Sequence, residues 1–215
     1  MFAPYSKFKI KIMYRNFITG TAGIIFCLLI SAECLSAQPV YKILATKDIN
    51  MKLSGTSTLH NWVMNTQIFT GEAQFVFSID NTDQLKSVKS LSFNLIVTDL
   101  KSGEKGLDKN AYKALKTDQY KGILYKLTLA TVMPEKDGKY QIKTQGALTI
   151  AGVTNNVSMD VYAVINKDGS ITCTGSNKLK MTDYQVKPPK FMLGAMKTGD
   201  DITLNYTLIY KKELL

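Results

Sequence analysis

The chain has 215 residues, 45% hydrophobic and 20% charged, with 27 Lys and Arg against 17 Asp and Glu and a formal net charge of +10. A single histidine and three cysteines exclude any centre that needs paired histidines or a histidine-rich metal cluster. No Gly-x-Ser-x-Gly elbow, His-Glu-x-x-His helix or Gly-rich phosphate loop is present, so no catalytic template is legible and no enzyme activity, cofactor or metal is expected.

Lys7, Lys9, Lys11 and Arg15 precede an apolar run at 17–30, which then meets small and polar residues. This pattern predicts a cleaved secretory signal peptide over 1–37, with the cut after Ala37, and an exported protein, periplasmic or secreted. The run of 14 residues is shorter than the ~20 an α-helix needs to cross a bilayer. A lipidated Cys34 is the competing reading, but Glu33 stands where a lipoprotein signal wants a small residue. Cleavage would leave 38–215 as one domain, large enough to bury about 70% of the extended chain's surface. Cys27 and Cys34 would leave with the leader, so Cys173 would have no intrachain disulfide partner. The leader also carries four basic residues and one acidic residue, which lowers the charge of the remainder to +7. The remaining lysines are mostly scattered singly, as on a solvated face, and nucleic acid is not an expected partner.

From Tyr41 onward the apolar residues recur with period two, the signature of half-buried strands. The pattern runs through Ala73, Phe75, Phe77 and Ile79, then Leu91, Phe93, Leu95 and Val97, then Ile123, Tyr125, Leu127 and Leu129. It continues in Val157, Met159, Val161, Ala163 and Ile165, and in Ile202, Leu204, Tyr206, Leu208 and Tyr210. Asp137-Gly138 and Asp168-Gly169 punctuate it as hairpin turns. Leu107, Ala111, Ala114 and Leu115 instead recur at helical spacing, which predicts one helix over 108–117 with Asp108 as its amino-terminal cap. Many alternating faces and one helix describe a β-sandwich or a β-barrel, and periodicity does not choose between them.

Four segments together resemble the YceI-like family. The first is Gly55-Thr56-Ser57-Thr58-Leu59-His60-Asn61-Trp62. The second is Leu100-Lys101-Ser102 followed by 107–116. The third is Gly146-Ala147-Leu148-Thr149-Ile150-Ala151-Gly152-Val153-Thr154, and the fourth is 179–201, which contains Tyr184 and Pro188-Pro189. Their order and spacing extend the resemblance over 41–212. It implies an all-β, lipocalin-like antiparallel barrel of eight strands with one short helix. It also implies an apolar interior for a long-chain isoprenoid or another amphiphilic lipid, held without covalent chemistry, with transient contact to a membrane. The first motif reads Leu-His-Asn-Trp rather than the commoner His-Ser pattern. The competing reading is a barrel or sandwich with a filled interior that serves as an interaction or stress-response module.

The alternation places Phe75, Phe77, Phe93, Leu95, Tyr125, Leu127, Met159, Val161, Leu204 and Tyr206 inward, as the expected ligand-binding lining. Met192 belongs to the same expected lining, because methionine adapts to a flexible chain. His60 and Trp62 are candidates at the pocket mouth and wall. Lys187, Lys190 and Lys197 around Pro188-Pro189 are candidates for an anionic head group, since lysine follows a loosely held anion as a mobile point charge. Asp183 reads as a turn residue. A hydrolase reading would need Asp183 and His60 to converge in one cleft.

Overall fold

A computed structural model describes residues 39–80, 84–191 and 196–213. Among the described residues, the unit Gln38–Leu215 has eleven strands, β1 (Tyr41–Ile43), β2 (Asn50–Ser57), β3 (Trp62–Thr66), β4 (Thr70–Phe77), β5 (Leu85–Ile96), β6 (Gly122–Pro134), β7 (Lys139–Ile150), β8 (Val153–Ile165), β9 (Ile171–Lys180), β10 (Lys190–Phe191) and β11 (Met196–Lys212), with one α-helix, α1 (Lys105–Ala114).

Every pairing among these strands is antiparallel, in the circular order β1, β4, β5, β6, β7, β8, β9, β11 and back to β1. This is a closed eight-stranded barrel, so the sheet has no long free edge on this ring. At 17 residues, β11 is long enough to meet two partners on one flank. Its last residues, Tyr210 to Lys212, pair with β1, and Thr198 to Thr207 pair with β2, which forms a hairpin with β3. An isolated bridge from Asn65 to Lys101 ties that hairpin to the chain just beyond β5.

The turns follow from local chemistry. Asp137 and Gly138 both adopt positive φ between β6 and β7, as do Ala151 and Gly152 between β7 and β8, a backbone twist that matches the twist of paired strands. Between β8 and β9, the Asp168 carboxylate accepts hydrogen bonds from the Ser170 backbone N–H at 3.0 Å and its hydroxyl at 2.6 Å. Both Asp-Gly hairpins therefore form where the sequence places them.

Three expectations are corrected. Leu129 is 56% exposed, because a bulge between Leu127 and Leu129 inserts a residue into β6 and turns Ala130 and Val132 inward in its place. Ile79 is 98% exposed, since β4 ends at Phe77 and the alternation loses its sheet there. The helix starts three residues earlier than expected and Asp108 lies inside it. Its carboxylate accepts from the Ser102 backbone N–H and hydroxyl at 2.8 and 2.7 Å, which fixes the loop that leads into the helix. The helix ends in a Schellman motif: Thr117 N–H reaches the Tyr112 carbonyl, Lys116 N–H reaches that of Lys113, and Lys116 takes positive φ.

The ten residues expected to face inward all belong to the central apolar cluster or pack on it. Around Phe75 the packing is aromatic. Tyr41 meets it edge to face at 5.3 Å between centroids, and Tyr210 does so at 5.6 Å. Phe75 and Tyr210 are 1% and 0% exposed, so this end of the barrel is solid.

Candidate functional site

The opposite end is hollow. A cavity of about 310 Å³ lies between the upper halves of the strands and the inner face of α1. Its lining is dominated by aliphatic side chains of medium size, among them Leu53, Leu95, Ile123, Leu148, Leu179 and Leu204. Such side chains are too short to meet across a closed barrel, so a void remains where aromatic rings do not fill it. Leu53, Ile123, Leu179 and Leu204 are only half-buried although they face inward, because the surface they present is cavity wall.

The helix supplies one side of the chamber. Leu107, Ala111, Ala114 and Leu115 all line it. No residue of α1 is fully buried, as expected for an apolar face set against a void. Tyr112 latches the helix in place: its hydroxyl donates to the Leu100 carbonyl at 2.6 Å and accepts from Lys101 Nζ at 3.0 Å. The Lys101 ammonium also lies 5.3 Å from the centre of the Tyr112 ring.

The charged lining residues and His60 stand at the exposed rim of the cavity. His60 comes from the β2–β3 turn, Glu104 from the residue before α1, Lys180 from the end of β9 and Lys197 from the start of β11, and all four are exposed. Lys180 is neutralised by Asp201 at 2.9 Å; among the described residues, Lys197 forms no ion pair. His60 is held by its own turn. The Ser57 hydroxyl donates to the His60 carbonyl at 2.7 Å, and His60 Nδ1 lies 2.8 Å from the Asn61 carbonyl, which requires the proton on Nδ1. Trp62 Nε1 donates to the Thr56 carbonyl at 3.1 Å, and the indole lies against the bare Cα of Gly55, which leaves its body on the cavity wall. Tyr184 also lines the chamber, and burial pushes its phenol above the ordinary range. Its hydroxyl, like that of Tyr210, is buried without a hydrogen-bond partner among the described residues.

Of the residues singled out from the sequence, the structure brings Leu95, Leu204, His60, Trp62 and Lys197 together on this cavity. Phe75, Phe77, Phe93, Tyr125, Leu127, Met159, Val161 and Tyr206 pack in the barrel interior and do not line it. Lys187 is exposed on the segment leading into β10, and Lys190 is exposed as the first residue of β10. They stand off the cavity wall, although Pro189 between them is on it. Met192 lies outside the described residues. Asp183 borders a separate external groove and offers its carbonyl to Asn155 at 2.7 Å, so it does not meet His60. Met51, Met64 and Leu100 were not foreseen as lining. The helical spacing of Leu107, Ala111, Ala114 and Leu115 is the one sequence signal that could have pointed to part of this wall.

Among the described residues, no helix is long and apolar enough to cross a membrane, and no group of acidic, cysteine and histidine side chains could hold a metal ion. The geometry is that of a barrel hollow at one end, with an apolar wall and exposed polar residues at its rim.

The profile of the YceI-like domain matches residues 45–210. No curated protein matches this sequence. Among solved structures, BcnA of Burkholderia cenocepacia superposes with a TM-score of 0.54 at 18% identity, covering 74% of this chain and 95% of that one. A polyisoprenoid binding domain from Saccharophagus degradans, implicated in plant cell wall breakdown, superposes with a TM-score of 0.59 at 11% identity, covering 80% of this chain and 98% of that one. At these identities the superpositions establish a shared fold, and the profile match over most of the length establishes the kinship: this chain belongs to the YceI-like domain family.

Proposed function

We propose that this protein binds an isoprenoid-type lipid with its apolar chain inside the barrel, and that it carries or sequesters that lipid without transforming it. The observation that carries this reading is the cavity of about 310 Å³ walled mostly by aliphatic side chains. Each methylene moved from water into such a wall contributes roughly 0.8 kcal/mol, so a chain needs few polar contacts to be held. The likeness to a barrel described as a polyisoprenoid binding domain supports the same ligand class. A filled interior would have favoured an interaction module, and the void favours a carrier.

In this reading, Leu95, Leu204 and Trp62 contact the chain, and His60 and Lys197 meet the head group at the mouth. Lys187 and Lys190 add positive charge beside it. The sequence pattern at 1–37 supports export, with Gln38 as the first residue of the mature protein, and intact-mass measurement on protein from the native host tests that cut. The functional test is organic-solvent extraction of the natively purified protein followed by mass spectrometry, with reconstitution by a prenyl alcohol in parallel. A co-purifying prenyl lipid is expected. Folded protein that yields no lipid and takes up none on reconstitution would refute the proposal.

A further inference from the structure

Along β6, β7 and β11 the cavity wall stops at Ile123, Leu148 and Leu204, while on β2 it reaches Met51, the register partner of Tyr206. One inward step deeper along those strands stand Tyr125, Gly146 and Tyr206, with Gly175 on β9 directly opposite Tyr206. None of these four lines the cavity. In the circular strand order β6 and β11 are separated by three strands in either direction, so the two tyrosines project from diametrically opposite sides of the barrel.

Each ring lies over a position that has no side chain. A Cβ built on Gly146 would come within 2.5 Å of the Tyr125 ring and hydroxyl, and one built on Gly175 would clash with the Tyr206 ring and hydroxyl. The two missing methyl groups let each ring lie inside the barrel against the neighbouring strand. Tyr125 is 7% exposed, and its buried hydroxyl has the Thr144 side chain beside it. The Tyr206 phenol is held well above its ordinary range, chiefly by burial and further by Cys173 and Tyr125 nearby. Below this level stand Cys173, Ile171 and Tyr210, which leave no space.

We propose that Tyr125 and Tyr206, seated over Gly146 and Gly175 one residue layer beneath Ile123 and Leu204 of the cavity wall, close the chamber as its floor and set the length of apolar chain the protein admits. This rests on the lipid-binding reading above and adds a selection to it. An engineered cavity of about 150 Å³ takes one benzene. On that scale the chamber of about 310 Å³ encloses about a dozen carbons, which is two to three isoprene units. Longer chains gain nothing from their extra units because those units stay at the mouth.

The molecule carries its own reporter, since Trp62 is the single tryptophan of the chain and lies on the cavity wall. The experiment titrates Trp62 fluorescence with all-trans prenyl alcohols of two, three, four and eight isoprene units, using protein expressed from the full chain. Wild-type affinity should rise to three units and then level off. Tyr206→Ala removes about one isoprene unit's volume of floor, so the break should move to four units, with at least a tenfold gain for the four-unit alcohol. Gly175→Ala pushes the Tyr206 ring off its seat into the lumen and should move the break down to two units. Tyr206→Phe keeps the ring and should keep the wild-type profile, and Tyr206→Leu gives a milder opening if the alanine variant does not fold. A wild-type affinity that climbs steadily to eight units overturns the floor and leaves lipid binding intact, as does an unmoved break in the folded variants that bind. If wild type binds no prenyl alcohol of any length, the lipid-binding reading and the floor fall together.

Discussion

The division of the barrel into a solid end and a hollow end predicts two different penalties for the same kind of truncation. Phe75→Ala deletes a ring that is 1% exposed and meets Tyr41 and Tyr210 edge to face. With no void to relax into, the change should cost about 3–5 kcal/mol from lost transfer energy and the new cavity. For a domain of this size that is a fall in midpoint of about 6–20 °C. Leu204→Ala removes a side chain that already faces a void, so fewer contacts are lost and the cost should be about 1–2 kcal/mol. The same change strips aliphatic contact from the proposed ligand and should weaken prenyl alcohol binding by tenfold or more. Urea denaturation of the two variants beside wild type measures the first pair of quantities, and Trp62 fluorescence titration measures the last. If Leu204→Ala destabilises as strongly as Phe75→Ala, the upper half of the barrel is packed in solution and the cavity argument fails.

Burial pushes the Cys173 thiol up to about 12 from 9.0. The unfolded chain therefore releases that proton first, and stability should fall as pH rises from about 9, by about 1.4 kcal/mol per pH unit at most. Cys173→Ala should remove that part of the alkaline loss, and parallel wild-type and variant curves would contradict it. The same thiol should resist a soluble disulfide reagent at mildly alkaline pH until denaturant is added. Gly152 combines positive φ with the Tyr120 ring against its bare face, whereas Gly138 has positive φ and open space around it. Gly152→Ala should thus cost about 1–3 kcal/mol and Gly138→Ala about 1, and equal urea midpoints for the two would count against the Tyr120 contact. Replacing Lys187, Lys190 and Lys197 by Gln should weaken binding of a prenyl phosphate while sparing a prenyl alcohol of equal length. Lys197→Gln alone should reproduce most of the effect, because only that lysine reaches the cavity wall. A triple variant that binds both ligands like wild type would remove these lysines from the site.

Much of this was legible in the residues themselves. Period-two alternation identified the inner faces of β5, β8 and β11, because a strand's geometry forces neighbouring side chains to opposite sides whatever the rest of the chain does. The two Asp-Gly pairs marked hairpins for an equally local reason, the positive φ their backbones tolerate. Ile79 and Leu129 escaped the pattern where it depended on the partner strand, since a bulge or a strand end is decided by pairing across the sheet. Depth along the barrel was not legible at all. Phe75, Phe93, Tyr125 and Tyr206 look like the best lining for an apolar ligand because they are large and face inward, yet rings of that size fill the lumen and make the solid end. The void opens where Leu53, Ile123, Leu148 and Leu204, from strands far apart in sequence, come together with Leu107 and Ala111 of the helix. Alternation tells which way a side chain points. How far across the barrel it reaches, and what stands opposite it, depends on register and closure, and those exist only in the folded molecule.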